Sequence, residues 1–187
     1  EFRRVLFRSP VQTARDLRKK ISAKDIESLK IITYGSAYKG AVEDPELWAP
    51  KTRETADHSM LIAIALGLID GTITPESFET ERFLDQDVLN LISKTEVEIS
   101  QEFSAMSPGV RTCQLIAKND VGKSFTSKLS LTAEDIERGP SDNEIQSKFY
   151  SLSERVMSDE KARALFEASM DLESMPKIST LVDLTEI

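Results

Sequence analysis

Hydrophobic residues along this chain follow three patterns, and the place where they change marks its centre. From Met60 to Ile69 (MLIAIALGLI) ten consecutive residues carry no polar side chain. An element apolar on every side belongs in a core. Upstream, Ala14, Leu17 and Ile21 recur at helical spacing, and basic residues fill the last turn, so Val11–Lys20 reads as the end of a helix. Ser22 and Asp25 form a short turn, and Ile26–Tyr34, rich in Ile, Leu, Thr and Tyr, reads as a strand. Gly35, Gly40, Pro45 and Pro50 punctuate a predicted loop over Gly35–Ala49. Thr52 caps the next helix, which the pattern carries unbroken to Ile69 and stops at Asp70-Gly71.

Beyond that point the elements shorten. Thr74-Pro75 opens a brief helix, and Asp85 caps another through about Ile92 with Val88, Leu89 and Ile92 inward. Three strands follow at Glu96–Ser100, Val110–Ala117 and Ser124–Leu131, the last two joined by a hairpin turn at Asn119–Lys123. Thr132–Pro140 reads as a linker. Ser141 and Glu144 form a capping box for a helix with Ile145, Phe149, Leu152 and Val156 on one stripe. Ser158 begins a second helix with Ala162, Leu165, Phe166 and Met170 inward, and a short one holds Ile178, Leu181, Val182 and Leu184. Strands broken by helices, then helices alone, predict an α+β fold with a three-to-four-stranded sheet.

Composition narrows the classes. The 187 residues suffice for one good core or two small ones. With 24 basic and 32 acidic residues the formal charge is −8, which disfavours nucleic acid and anionic membranes because both need clustered Lys and Arg. The longest apolar run is ten residues, against roughly twenty for a membrane span. A single cysteine, Cys113, rules out a disulfide within the chain and a four-cysteine iron–sulfur site, and one histidine is too little for a zinc site. No cofactor or metal is expected. A cytosolic setting is the default.

The candidate chemistry lies in PKTRETADHSM, Pro50 to Met60. His58, the only histidine, follows Asp57 directly and Glu54 by four residues, where a polar helical turn meets the apolar helix. An imidazole titrates near physiological pH and can serve as acid, base or hydrogen-bond donor. Arg53 can grip a carboxylate with two parallel hydrogen bonds, and Asp57 can orient a neighbour or touch substrate. The plainer reading makes Arg53/Asp57 and Glu54/His58 ordinary i,i+4 surface pairs. Elsewhere the chemistry is thin. Gln12 is a polar group at a helix start, Trp48 a loop anchor, and Cys113 a buried thiol. Ser59 has no second histidine to form a triad, and Gly35 and Gly40 lie outside any phosphate-loop pattern.

Glu1–Ser9 (EFRRVLFRS) has three arginines, two phenylalanines and no regular period. It resembles the translation of a sequencing-library adapter and is set aside from fold reasoning. Without Glu1, Arg3, Arg4 and Arg8 the balance is 21 basic to 31 acidic, or −10. The natural protein is then expected to continue upstream of Pro10.

From Pro10 onward the segments ARDLRKKI, IITYGSA, WAPKTRETADHSM, GLIDGTITPESF, DQDVLNLISKTEVE and SDNEIQSKF, in this order, resemble the C-terminal part of the MmgE/PrpD proteins, which include 2-methylcitrate dehydratases and cis-aconitate decarboxylases. The resemblance implies a large helical domain and a smaller α/β domain that covers the active site like a lid. It assigns residues 10–21 to the end of a helical-domain helix, 22–131 to the α/β domain, 132–140 to a linker, and 141–187 to closing helices of a mostly missing helical domain. It implies a lyase that dehydrates a small polycarboxylic acid such as 2-methylcitrate without an iron–sulfur cluster, assembled as a homodimer. His58 would be catalytic, and Arg53 and Asp57 substrate-binding. The chain alone is expected to be inactive, because one histidine cannot supply the whole acid–base set. The sequence departs from the family at Ile62, where relatives often carry a tyrosine one turn after the histidine. That departure weakens transfer of the alternative activity, cis-aconitate decarboxylation. A free-standing α+β binding module is the competing reading from another class.

Overall fold

The computed structural model describes residues 2–186, with side chains from residue 8 onward. It forms two compact units, residues 1–137 and residues 138–187. The first contains a four-stranded mixed sheet in the order β2-β1-β3-β4, so the α+β expectation holds.

Chain order in the first unit is α1 (Phe2–Arg18), β1 (Ser28–Thr33), α2 (Gly35–Ala41), α3 (Arg53–Asp57), α4 (Met60–Ile69), α5 (Pro75–Glu79), α6 (Gln86–Ser93), β2 (Thr95–Ile99), α7 (Gln101–Met106), β3 (Val110–Lys118), β4 (Ser124–Thr132) and α8 (Ala133–Arg138). β1 and β2 run parallel, with Ile31 opposite Val97. β1 and β3 are antiparallel, with Ile31 opposite Leu115, and β3 and β4 form the antiparallel hairpin. Its turn closes with Gly122 at φ +76° and the Asn119 side chain accepting from the Lys123 amide at 2.8 Å. A parallel pair cannot be joined by a tight turn. The crossover from β1 to β2 therefore takes in every helix from α2 to α6, including PKTRETADHSM.

Alternation sets the faces of the sheet. Leu29 and Ile31 of β1 are buried with Cys113, Leu115 and Ala117 of β3. α1 packs on β3 and β4 on one side and against α4 on the other. It presents Ala14 and Leu17, both fully buried. α4 is enclosed from Met60 through Leu68, as its uniform apolarity requires. It meets α1 closely at Gly67, where an added Cβ would lie 2.9 Å from the Ala14 Cβ. Gly71, at φ +78°, takes the left-handed conformation that ends the helix.

Several expectations need correction. Glu1 and the side chains of residues 2–7, on which most of the adapter reading falls, lie outside the described residues. The backbone from Phe2 to Ser9 is nevertheless helical, continuous with α1 through Pro10, and Ser9 is buried. The predicted loop over Gly35–Ala49 contains α2 and a 3-10 turn at Pro45–Trp48. α2 forms despite its glycines because Ala37 and Ala41 bury, and the Ser104 hydroxyl accepts from the Gly35 amide at 3.0 Å. α7, capped by Ser100, falls between predicted strands, and α8 lies in the predicted linker. In α6 the inward residues are Val88, Leu91 and Ile92, with Leu89 only half-buried. Asp85 begins that helix without a side-chain cap, since its carboxylate faces Arg82 at 2.8 Å.

The second unit holds α9 (Asp142–Ser153), α10 (Asp159–Met170) and α11 (Ser179–Asp183). The Ser141/Glu144 capping box is present, and Ser158 caps α10. Phe149, Tyr150 and Phe166 form a ring cluster with centroids 5.3 to 5.5 Å apart. Ala162 and Leu165 are buried. The predicted inward stripes are otherwise open: Ile145, Leu152, Val156, Met170, Ile178 and Val182 are exposed. No described helix is long and apolar enough to cross a membrane.

Two tests follow from this packing. Gly67→Ala forces the new methyl against Ala14 and is expected to cost about 1–3 kcal/mol in chemical unfolding. Wild-type stability in that variant would mean that α1 yields freely. Burial pushes the Cys113 thiol up to about 12 from 9.0, opposed by a hydrogen bond with Thr13. The unfolded chain therefore ionises this thiol first. The stability tied to it is whole below pH 9 and is lost as pH rises toward 12. Native Cys113 should resist thiol reagents until denaturant is added, and Cys113→Ala should flatten the alkaline loss.

Candidate functional site

PKTRETADHSM does not form the start of one long helix. It folds as α3 and then breaks before α4. The Thr52 hydroxyl caps α3 by accepting from the Thr55 amide at 3.2 Å. His58 closes α3 in a near-helical conformation. Ser59 then turns extended, at φ −87° and ψ 119°. Its buried hydroxyl accepts from the Ile62 amide at 3.2 Å, which starts α4, and donates to the Leu47 carbonyl at 2.6 Å. The expected continuous helix from Thr52 to Ile69 fails at Ser59 because the serine side chain competes with the helical backbone and wins a buried partner. A serine directly ahead of an apolar run is the ordinary mark of a helix start, and Ser59 carries that signal.

The break fixes His58. Its Nδ1 lies 2.6 Å from the Glu54 carbonyl oxygen and 2.5 Å from Asp57 Oδ1. The side chain is 31% exposed. Neither anticipated i,i+4 pair forms as drawn. Glu54 reaches the imidazole with its main-chain carbonyl, and the Asp57 carboxylate pairs with the adjacent His58. Arg53 is exposed on the same short helix, and among the described residues no ion pair joins it to Asp57. The structure thus brings Asp57 onto His58 and leaves Arg53 exposed at the start of α3.

The remaining candidates take structural parts. Ile62 is wholly buried, so the position one turn past His58 belongs to the core. The Trp48 indole N–H donates to the Val42 carbonyl at 2.9 Å, anchoring the 3-10 turn whose Leu47 carbonyl receives Ser59. The Gln12 amide donates to Asp16 within α1 at 3.4 Å. Tyr34 is buried and its phenol is pushed above the usual tyrosine range by burial.

A loop anchored by Trp48, a capped short helix, and a serine clamp on α4 hold the imidazole against a rigid base. Ser59→Ala removes a cap and orphans the Leu47 carbonyl, and is expected to cost about 1–3 kcal/mol in denaturant unfolding. Ser59→Thr, which keeps the oxygen, should cost less; equal stability of the two would place the cause of the break elsewhere.

No curated protein matches this chain. The family model for the MmgE/PrpD C-terminal domain matches residues 6–173, which takes in the sheet, the α3–α4 break and most of the closing helices. With the match covering that much of its length, the chain belongs to the MmgE/PrpD family.

Proposed function

We propose that this chain supplies the covering wall of a lyase active site that dehydrates a small polycarboxylic acid such as 2-methylcitrate. His58 is its acid–base group, and Arg53 holds a substrate carboxylate. The observation that carries this reading is the placement of the single imidazole: it is partly exposed at the open end of a buried helix and gripped at one ring nitrogen. Dehydration next to a carboxylate needs a base, an acid for the departing hydroxyl, and cations for the carboxylates. His58 and Arg53 provide part of that set. The rest would come from a helical domain, which the exposed apolar residues of α9, α10 and α11 also suit. A homodimer in the cytosol goes with the proposal.

The expected result is that this chain alone does not dehydrate 2-methylcitrate. Turnover by it would overturn the partial-site reading. In the parent enzyme, His58→Gln should lower kcat by about 10²–10⁴, the usual worth of a positioned acid–base group. Arg53→Ala should act mainly on KM. Unchanged kcat in the histidine variant would remove His58 from the chemistry.

A further inference from the structure

We infer that Asp57 is a positioning residue. With the Glu54 carbonyl it holds the His58 ring proton on Nδ1, so that Nε2 is the nitrogen that takes and gives protons. The argument is one of donors and acceptors. A main-chain carbonyl oxygen cannot donate, and neither can an ionised carboxylate. Both lie within 2.6 Å of Nδ1. Only a proton on Nδ1 makes these contacts favourable; a lone pair there would face two oxygens at close range. In a neutral imidazole with Nδ1 protonated, the lone pair is on Nε2.

The two acceptors do different work. The Glu54 carbonyl is one helical turn back and fixed by α3 itself, so it sets the angle of the ring. The Asp57 carboxylate is charged, and its hydrogen bond is roughly twice as strong as a neutral one. It therefore contributes most of the preference for the Nδ1–H form. Asp57 reaches the reaction through the histidine, so its part differs from that of Arg53.

The catalytic use of Nε2 rests on the reading of His58 as the acid–base group; the position of the proton does not. The chain has a single histidine, so its ring nitrogens give one unambiguous set of signals. In ¹⁵N-histidine-labelled protein, at a pH where the ring is neutral, Nδ1 should resonate as the protonated, pyrrole-type nitrogen and Nε2 as the pyridine type. Asp57→Ala should lower the ratio of Nδ1–H to Nε2–H by about fivefold, with the Glu54 carbonyl preserving a remainder. Asp57→Glu should restore part of it. A mainly Nε2-protonated ring in the wild-type chain overturns the inference. So does an unchanged ratio in Asp57→Ala when circular dichroism shows that the variant is folded. Failure of the functional reading would appear separately, as unchanged kcat on loss of His58.

Discussion

A helix without polar side chains cannot satisfy its own ends, and this constraint organises the first unit. α4 must be surrounded to keep its ten apolar residues from water, yet burial leaves amide donors at its start and carbonyl acceptors at its finish. Both ends are served from outside the apolar run. The Ser59 hydroxyl covers the Ile62 amide at the start. At the finish, Arg18 donates to the Leu68 carbonyl at 3.3 Å and Arg15 to the Gly71 carbonyl at 2.9 Å. Asp70, just past the helix, is held by Arg82, which also binds Asp85 and Asp87. That guanidinium keeps the Asp87 carboxyl below its usual range and ties the end of α4 to the start of α6.

The same constraint gives the candidate site its rigidity. Whatever caps α4 at its N-terminus must sit where the chain emerges from the core, and the residue before that cap is carried to the surface in a fixed orientation. His58 occupies that position. Its neighbours are set by equally local causes: the short α3 brings the Glu54 carbonyl one turn back, and Asp57 is adjacent in sequence. The parallel pairing of β1 with β2 explains why so much apparatus lies in one connection, since that pairing demands a long crossover.

Much of this is written plainly in the sequence. The apolar run, the β-branched content of β1, the hairpin at Asn119–Lys123 and the Ser141/Glu144 box each express one dominant local cause, and each appears where that cause predicts. The misreadings arise where two causes compete. Glycine at 35 and 40 argues for a loop, but a tertiary contact from Ser104 and two buried alanines favour a helix. Continuous helical periodicity across residues 53–69 hides a break that one serine hydroxyl creates by reaching Leu47, twelve residues away. Around His58 the pairing of groups was not legible. Spacing four apart suggested side chain to side chain, whereas the imidazole sits where a helix exposes its last carbonyls. The apolar stripes of α9 and α10 correctly signal helices, but a stripe does not specify its partner, and several of its members are exposed.

Charge makes the same point about context. The chain is acidic by eight, yet Arg15, Arg18, Lys19, Lys20 and Lys24 crowd one short stretch. Read from sequence alone, such a cluster invites an anion. The structure gives three of these cations to main-chain oxygens: Arg15 to Gly71, Arg18 to Leu68, and Lys20 to Thr126 at 2.6 Å. Lys19 pairs with Asp16. Two helices, α1 and α4, end in this region, and helix C-termini present carbonyls that repel anions and attract cations. Arg15 and Arg18 are therefore the electrostatic complement of the end of α4. Arg53, in the first turn of α3, is exposed and stands outside this cluster.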